Sequence, residues 1–227
     1  MAVSALPVGP DSRSATIEAL RARMERVQGG PRVPVAMASD LAGLVQLRTG
    51  NSYRVDRASL ALTLLAEPSR AGSWVAVVGV ADLGVEAAAE YGLNLDRTIW
   101  VPDPGVDWPE VAATLVDVVP LVWLSPSGPV RPRTASRLRA RLRKRSTTLL
   151  VQGDWPGCDS ELRIAGQQWH GVGHGRGRLR SRLVEVECVR PGAPVRRARV
   201  RLPLEAGSGD GVAPLDGLGD RVREAAG

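Results

Sequence analysis

The chain has 227 residues, of which 44% are hydrophobic and 24% charged, the balance of a globular domain with its own core. A formal net charge of +6 permits an anionic partner, nucleic acid or acidic protein, without requiring one. Cys158 and Cys188 alone offer neither a zinc pattern nor a disulfide framework, and neither a signal peptide nor a run of ~20 apolar residues occurs, so a cytoplasmic protein without a membrane span is expected.

Residues 1–13 are small, polar and proline-containing, and read as a disordered N-terminus. Ser14 then suits an N-cap, and Ile17, Leu20, Met24 and Val27 fall on one stripe of a helix over 14–30, which Gly29, Gly30 and Pro31 stop. That stripe is a candidate interface, packing on its own domain or on a neighbouring molecule. The main domain is expected over 31–204. Within it, strands are predicted at Tyr53–Val55, Trp74–Val80, Thr98–Val101, Val118–Leu124 and Thr148–Val151. Helices are predicted between them, at Ala58–Ala66, Val85–Tyr91, Trp108–Val116 and Thr134–Arg145. The runs VAVVGV and VVPLVWL are apolar at nearly every position, as in parallel strands covered by helices on both faces. After residue 160 the pattern alternates. Val184, Val186 and Cys188 oppose Glu185 and Glu187, and Ala198, Val200 and Leu202 alternate with Arg197, Arg199 and Arg201. RPGAP between these runs suits a hairpin in which glutamates meet arginines across the strands. Residues 205–227 read as a flexible tail. Leu215, Leu218 and Val222 in it would share one side of a helix formed on a partner, although Gly217 and Gly219 disfavour that helix when free.

The order strand, helix, strand, EYGLNLDRTIWVPDPG, helix, LVDVVPLVWLSPSG, basic helix, STTLLV resembles the core of RecA recombinases. It is closer still to the small RecA-like accessory proteins of bacterial mutagenesis cassettes, in the actinobacterial ImuA-prime family. SATIEALRARMERVQGG, RTGNSYRVDRASLALTLLAEPSRAGSWVAVVGV and LRARLRKRSTTLLV carry the similarity, which spans residues 13–204. The resemblance implies an α/β fold with a RecA-like mixed, mainly parallel sheet flanked by helices, followed by C-terminal antiparallel strands.

A RecA-type ATPase needs G-x-x-x-x-G-K-[ST], whose glycines let backbone amides wrap the phosphates. Here the residues before ASLALTLLA are NSYRVDR, a degenerate version of that loop. The glycines are absent, Arg57 stands for the lysine and Ala58 for the Mg²⁺-binding hydroxyl. The acid expected at the end of the central strand aligns with Val122, and Asp117 lies at the strand's opposite end. The catalytic glutamate position falls on Val80 or Ala81, with Asp82 the nearest acid. No catalytic residue, cofactor or metal is therefore expected. His170 and His174 have the i, i+4 spacing of a helical zinc pair, but the glycines around them forbid a stable helix.

Two basic regions are candidate sites for DNA or a partner. One is a helix carrying Arg137, Arg139, Arg141, Arg143, Lys144 and Arg145, and the other a glycine-rich loop carrying Arg176, Arg178, Arg180 and Arg182. The bland alternative for both is a solvated basic face. The connections SPSGPVRPRT and GDWPGCDS are too short to grip DNA as recombinase loops do, so any DNA contact is expected to be non-specific and salt-sensitive. The resemblance implies a non-catalytic component of a DNA-damage-induced mutagenic translesion synthesis complex. Its partners would be an inactive Y-family-polymerase-like adaptor and an error-prone replicative-type DNA polymerase, with recruitment to the nucleoid on damaged DNA. The runner-up is a DNA-binding regulator acting on single-stranded DNA or a recombinase filament, and a third reading is an ATPase with a disguised site.

Overall fold

The continuous apolar runs form short strands buried on both faces. In the computed structural model, which describes residues 31–173 and 176–202, these are β1 (Ser52–Val55), β2 (Val75–Val78), β3 (Thr98–Val101), β4 (Leu121–Leu124) and β5 (Thr148–Gln152). Side chains are described for all of these residues except 39, 170–173 and 176–181. The expected N-terminus 1–13, the helix 14–30 with its apolar stripe, His174 and the tail 205–227 with Leu215, Leu218 and Val222 lie outside the described residues. Two long strands, β6 (Ser160–Gly173) and β7 (Arg176–Val189), and a shorter β8 (Arg196–Leu202) complete a sheet of order β3-β2-β4-β5-β1-β6-β7-β8. β1 to β6 run parallel, and β7 is antiparallel to both β6 and β8. The expected α/β class, mainly parallel sheet and antiparallel C-terminal strands are present.

Parallel neighbours need crossovers, which helices supply. These are α2 (Ala58–Arg70), α3 (Val85–Tyr91), α4 (Trp108–Val118) and α5 (Pro132–Arg145), preceded by the one-turn α1 (Ser39–Ala42). Strand residues alternate between two cores. Tyr53, Val55, Val75, Val77 and Trp123 pack with α1, α2, α3 and the inner face of the C-terminal strands. Ala76, Val78, Val122, Leu149 and Val151 pack with α4 and α5. Residues 60–66 of α2 are all buried, because the segment around Leu41, Leu44 and Leu47 joins the same core on the side the sheet leaves open. α5 buries only Ala135, Leu138 and Leu142, a narrow stripe that leaves its basic side chains outward.

Several boundaries differ from expectation. Val118 ends α4 and is exposed rather than starting β4, because Pro120 delays the strand to Leu121. α2 runs through Pro68, four residues beyond the expected end at Ala66, and Gly72 at φ +92° turns the chain away. The largest correction concerns residues 160–182. Ser160–Gly173 was not expected as a strand, and the basic stretch carrying Arg176, Arg178, Arg180 and Arg182 belongs to strand β7 rather than a loop. Glycines at 171, 173, 175 and 177 remove the side-chain alternation from which a strand is read, while backbone pairing still closes the hairpin. The expected hairpin of β7 and β8, with glutamates facing arginines, is present: Glu185 opposes Arg199, Glu187 opposes Arg197, and Val184 and Val186 face the core opposite Val200 and Ala198. No described helix is long and apolar enough to cross a membrane.

Candidate functional site

Ligands of open α/β sheets sit beyond the carboxyl ends of the parallel strands. Among the described residues, protein groups pack against that edge at β1, at β2 and along the β5–β6 link. β1 enters α2 through Asp56 and Arg57 alone. Arg57 occupies the N-cap position in extended conformation, and its side chain caps nothing. The Asp56 amide donates to Leu162 O at 3.2 Å, and its carboxylate accepts the Ile164 amide at 3.0 Å, so the junction is tied to β6. Two residues cannot form a cradle of backbone amides, and the Asp56 carboxylate there repels phosphate.

The neighbouring strand ends are filled as well. Val80 is buried, and its carbonyl accepts Trp100 Nε1 at 2.9 Å. Val122 lies mid-strand in the α4–α5 core rather than at the strand's end. Gly79, at φ +76°, packs so closely on the Ser125 carbonyl that a β-carbon there would collide with it. The link from β5 to β6 is pinned along its length. The Asp159 amide donates to Ser52 O and its carboxylate accepts the Ser52 amide, the Arg54 guanidinium reaches Gly153 O and Asp154, and Trp155 is buried.

The basic helix divides into engaged and free side chains. Arg141 and Arg145 share one acceptor, the Asp117 carboxylate of α4, at 3.0 and 3.1 Å. Asp117 therefore stands on a helix, not at a strand end, and acts as a clamp between α4 and α5. Arg139 donates to Gly157 O, holding the β5–β6 link. Arg137, Arg143 and Lys144 form no ion pair with a described residue. Arg137 and Arg141 line a groove of about 370 Å³ between α4 and α5, together with Glu110, Ala113, Thr114 and Leu138.

The model of the MT3502 N-terminal domain matches residues 40–157, more than half of the chain. The chain belongs to this family. It is also 41% identical over 165 residues to the uncharacterized protein Rv3395c of Mycobacterium tuberculosis, across 67% of this chain and 78% of the relative. The MT3502 N-terminal domain thus takes in β1 to β5 and the helices α2 to α5, including the carboxyl edge and the basic helix. β6, β7 and β8 lie beyond the matched residues.

Where the MT3502 N-terminal domain meets those strands, Arg182 of β7 reaches back over it. Its guanidinium donates to Ser59 Oγ, in the first turn of α2, at 2.7 Å and to Gln167 Oε1 at 3.3 Å. It also lies over the Trp169 ring, 5.2 Å from the centroid. Of the other arginines in the stretch, Arg176, Arg178 and Arg180 occupy alternate positions of β7 leading to Arg182. Trp169 was missed by sequence reasoning. A lone tryptophan inside a glycine- and arginine-rich stretch was the available signal.

Among the described residues no three of His, Cys, Asp or Glu converge as a metal site. Burial pushes the Cys158 and Cys188 thiols up, which favours the protonated thiol at both positions. On the outer face of the C-terminal strands, Glu187 is buried between Arg197 Nη2 at 2.7 Å and Arg163 Nε at 2.6 Å. Hydrogen bonds from Arg197 and then Arg163 hold its carboxyl below the usual glutamate range.

Proposed function

We propose that this chain is a RecA-like protein of the ImuA-prime type that has given up nucleotide chemistry and serves as a non-catalytic component of a mutagenic translesion synthesis complex. The observation that carries the loss of nucleotide chemistry is the two-residue passage from β1 into α2. A phosphate-binding loop belongs at that passage, and Asp56 and Arg57 offer neither glycines nor a nest of amides. The RecA-like reading is supported by the strand order, with the degenerate loop at the carboxyl end of β1 and helices on both faces. The place in a mutagenesis complex rests on the sequence resemblance. So do its partners, an inactive Y-family-polymerase-like adaptor and an error-prone replicative-type polymerase.

Two measurements test this. Titration with a fluorescent ATP analogue should give no saturable binding up to millimolar nucleotide, and micromolar affinity lost in Arg57→Ala would overturn the non-catalytic reading. Co-expression with the adaptor should yield a complex that survives gel filtration, and failure to co-purify would remove the assembly role. The second reading, a regulator acting on single-stranded DNA or a recombinase filament, is favoured by the run Leu162–Val184, which contains no acidic residue.

A further inference from the structure

β6 and β7 are far longer than their outer neighbours require. β6 pairs with β1 only through Ser160–Leu162, and β7 pairs with β8 only from Arg182 to Cys188. Beyond those residues the two strands pair with each other alone, as a ribbon continuing past the carboxyl edge of the parallel sheet. Its root is fixed. Ile164 bonds to Asp56, Arg182 bonds to Ser59 and Gln167, and the pairing shifts register at Ile164/Gly166. The root of the ribbon is therefore held over the first turn of α2, and beyond β1 and β8 its two strands have no other described sheet neighbour.

From Leu162 to Val184 the chain has no Asp or Glu, and it carries Arg163, Arg176, Arg178, Arg180 and Arg182. At the root stands Trp169, 54% exposed, directly opposite Arg182 in the register and carrying the guanidinium on its ring. An indole that serves the core is covered on both faces. This one is more than half exposed, with a cation over its ring. A large exposed aromatic beside an acid-free run of arginines fits one ligand chemistry, a polyanion whose units carry flat rings. Duplex DNA hides its base faces in the stack, whereas a single strand presents them.

We propose that the β6–β7 ribbon is a binding site for single-stranded DNA, in which a base stacks on Trp169 and the arginines of β7 follow the phosphates. The residues of this site lie beyond those matched by the MT3502 N-terminal domain. Choosing DNA over RNA rests on the mutagenesis role proposed above. The ribbon's preference for a single strand does not.

The test measures anisotropy of a labelled thymidine oligomer on the full chain, against its duplex and the matching uridine oligomer as competitors. Trp169→Ala should weaken thymidine-oligomer binding about tenfold, and Trp169→Phe should recover most of the loss. Changing Arg176, Arg178 and Arg180 together to Gln should make the dependence of log affinity on log salt shallower by about two. Thermal melts of all variants should match the parent, because the altered residues lie outside the described core. Unchanged affinity in Trp169→Ala, equal or stronger binding of duplex, or equal loss in Trp169→Phe would overturn the ribbon site. Stronger binding of the uridine oligomer would overturn the choice of DNA. Adaptor capture separates the two proposals. If Trp169→Ala captures the adaptor and binds DNA like the parent, only the ribbon falls. If the parent captures no adaptor yet shows the Trp169 dependence, only the assembly role falls.

Discussion

The two ends of the sheet meet the solvent in opposite ways. At the parallel end, β2, β4 and β1 stop at a carboxyl edge where backbone packs on backbone: Gly79 against Ser125, Val80 buried, Asp56 tied to β6. At the antiparallel end, β6 and β7 run on past their neighbours and present a tryptophan and a row of arginine positions. An enzyme of this architecture keeps the first place open, for its ligand. Here backbone packs against backbone at that place, and the acid-free run Leu162–Val184 lies on the hairpin. The same chain therefore carries two kinds of glycine. Some let backbone approach backbone, and others leave a strand smooth.

Substitution of two glycines with similar φ but different surroundings is the strongest way to break the comparison. Gly79→Ala adds a β-carbon against the Ser125 carbonyl, a fixed backbone atom, at a φ of +76° that alanine disfavours. Urea melts should show a loss of about 3 kcal/mol or more, or no folded protein. Gly192, in the turn between β7 and β8, has a similar φ of +72°, but open space surrounds its missing side chain. Gly192→Ala should cost only the backbone term, about 1 kcal/mol. Equal costs at the two positions would mean that the carboxyl edge is not closed by backbone packing.

A smaller effect tests the outer face of the hairpin. Glu187 makes charge-assisted bonds to Arg163 and Arg197, which lower its pKa beneath the ordinary 4.5. A carboxyl with a depressed folded-state pKa stabilises the fold above its unfolded value. That contribution is lost as pH falls through the folded-state value. Glu187→Gln should cost about 1 kcal/mol at pH 7, the two arginines being half-exposed. The parent should lose its advantage as pH falls below the ordinary 4.5 and on through the depressed folded-state value, beyond which the two melting curves converge. A constant gap across that range would show that packing, not charge, supplies the difference.

The parallel half was legible because its residues obey one rule each. VAVV, LVWL and TLLVQ are strands since both sheet faces are covered, and the arginines of α5 are outward since Ala135, Leu138 and Leu142 take the only buried stripe. The cross-strand match of Glu185 and Glu187 with Arg199 and Arg197 was legible from alternation alone. The ribbon was not. Its strands are held by main-chain bonds between glycine-rich arms, which leave no side-chain period to read. Asp117 was misplaced because helix α4 continues through an apolar VDVV that resembles the start of a strand. Trp169 gains meaning only from Arg182, which lies thirteen residues along the chain and directly across the hairpin.

The smallest expected effect concerns the basic helix, where engaged and free arginines give opposite tests of one surface. Arg137, Arg143 and Lys144 bond to no described acid, so changing all three to Gln should alter stability by no more than about 0.5 kcal/mol. Asp117→Asn acts in the other direction. It releases Arg141 and Arg145, and removes a clamp of half-exposed ion pairs that contributes about 0.5 kcal/mol. If α5 meets the DNA backbone, the triple change should weaken single strand and duplex alike and Asp117→Asn should strengthen both, because phosphate contact reads charge and not sequence. The ribbon proposal expects the triple change to lower oligomer affinity by less than Trp169→Ala does. A larger loss from α5 would make that helix the main DNA contact. No change in DNA affinity from either variant, with lost adaptor capture in the triple variant, would assign the α4–α5 groove and its Arg137 to the protein partner.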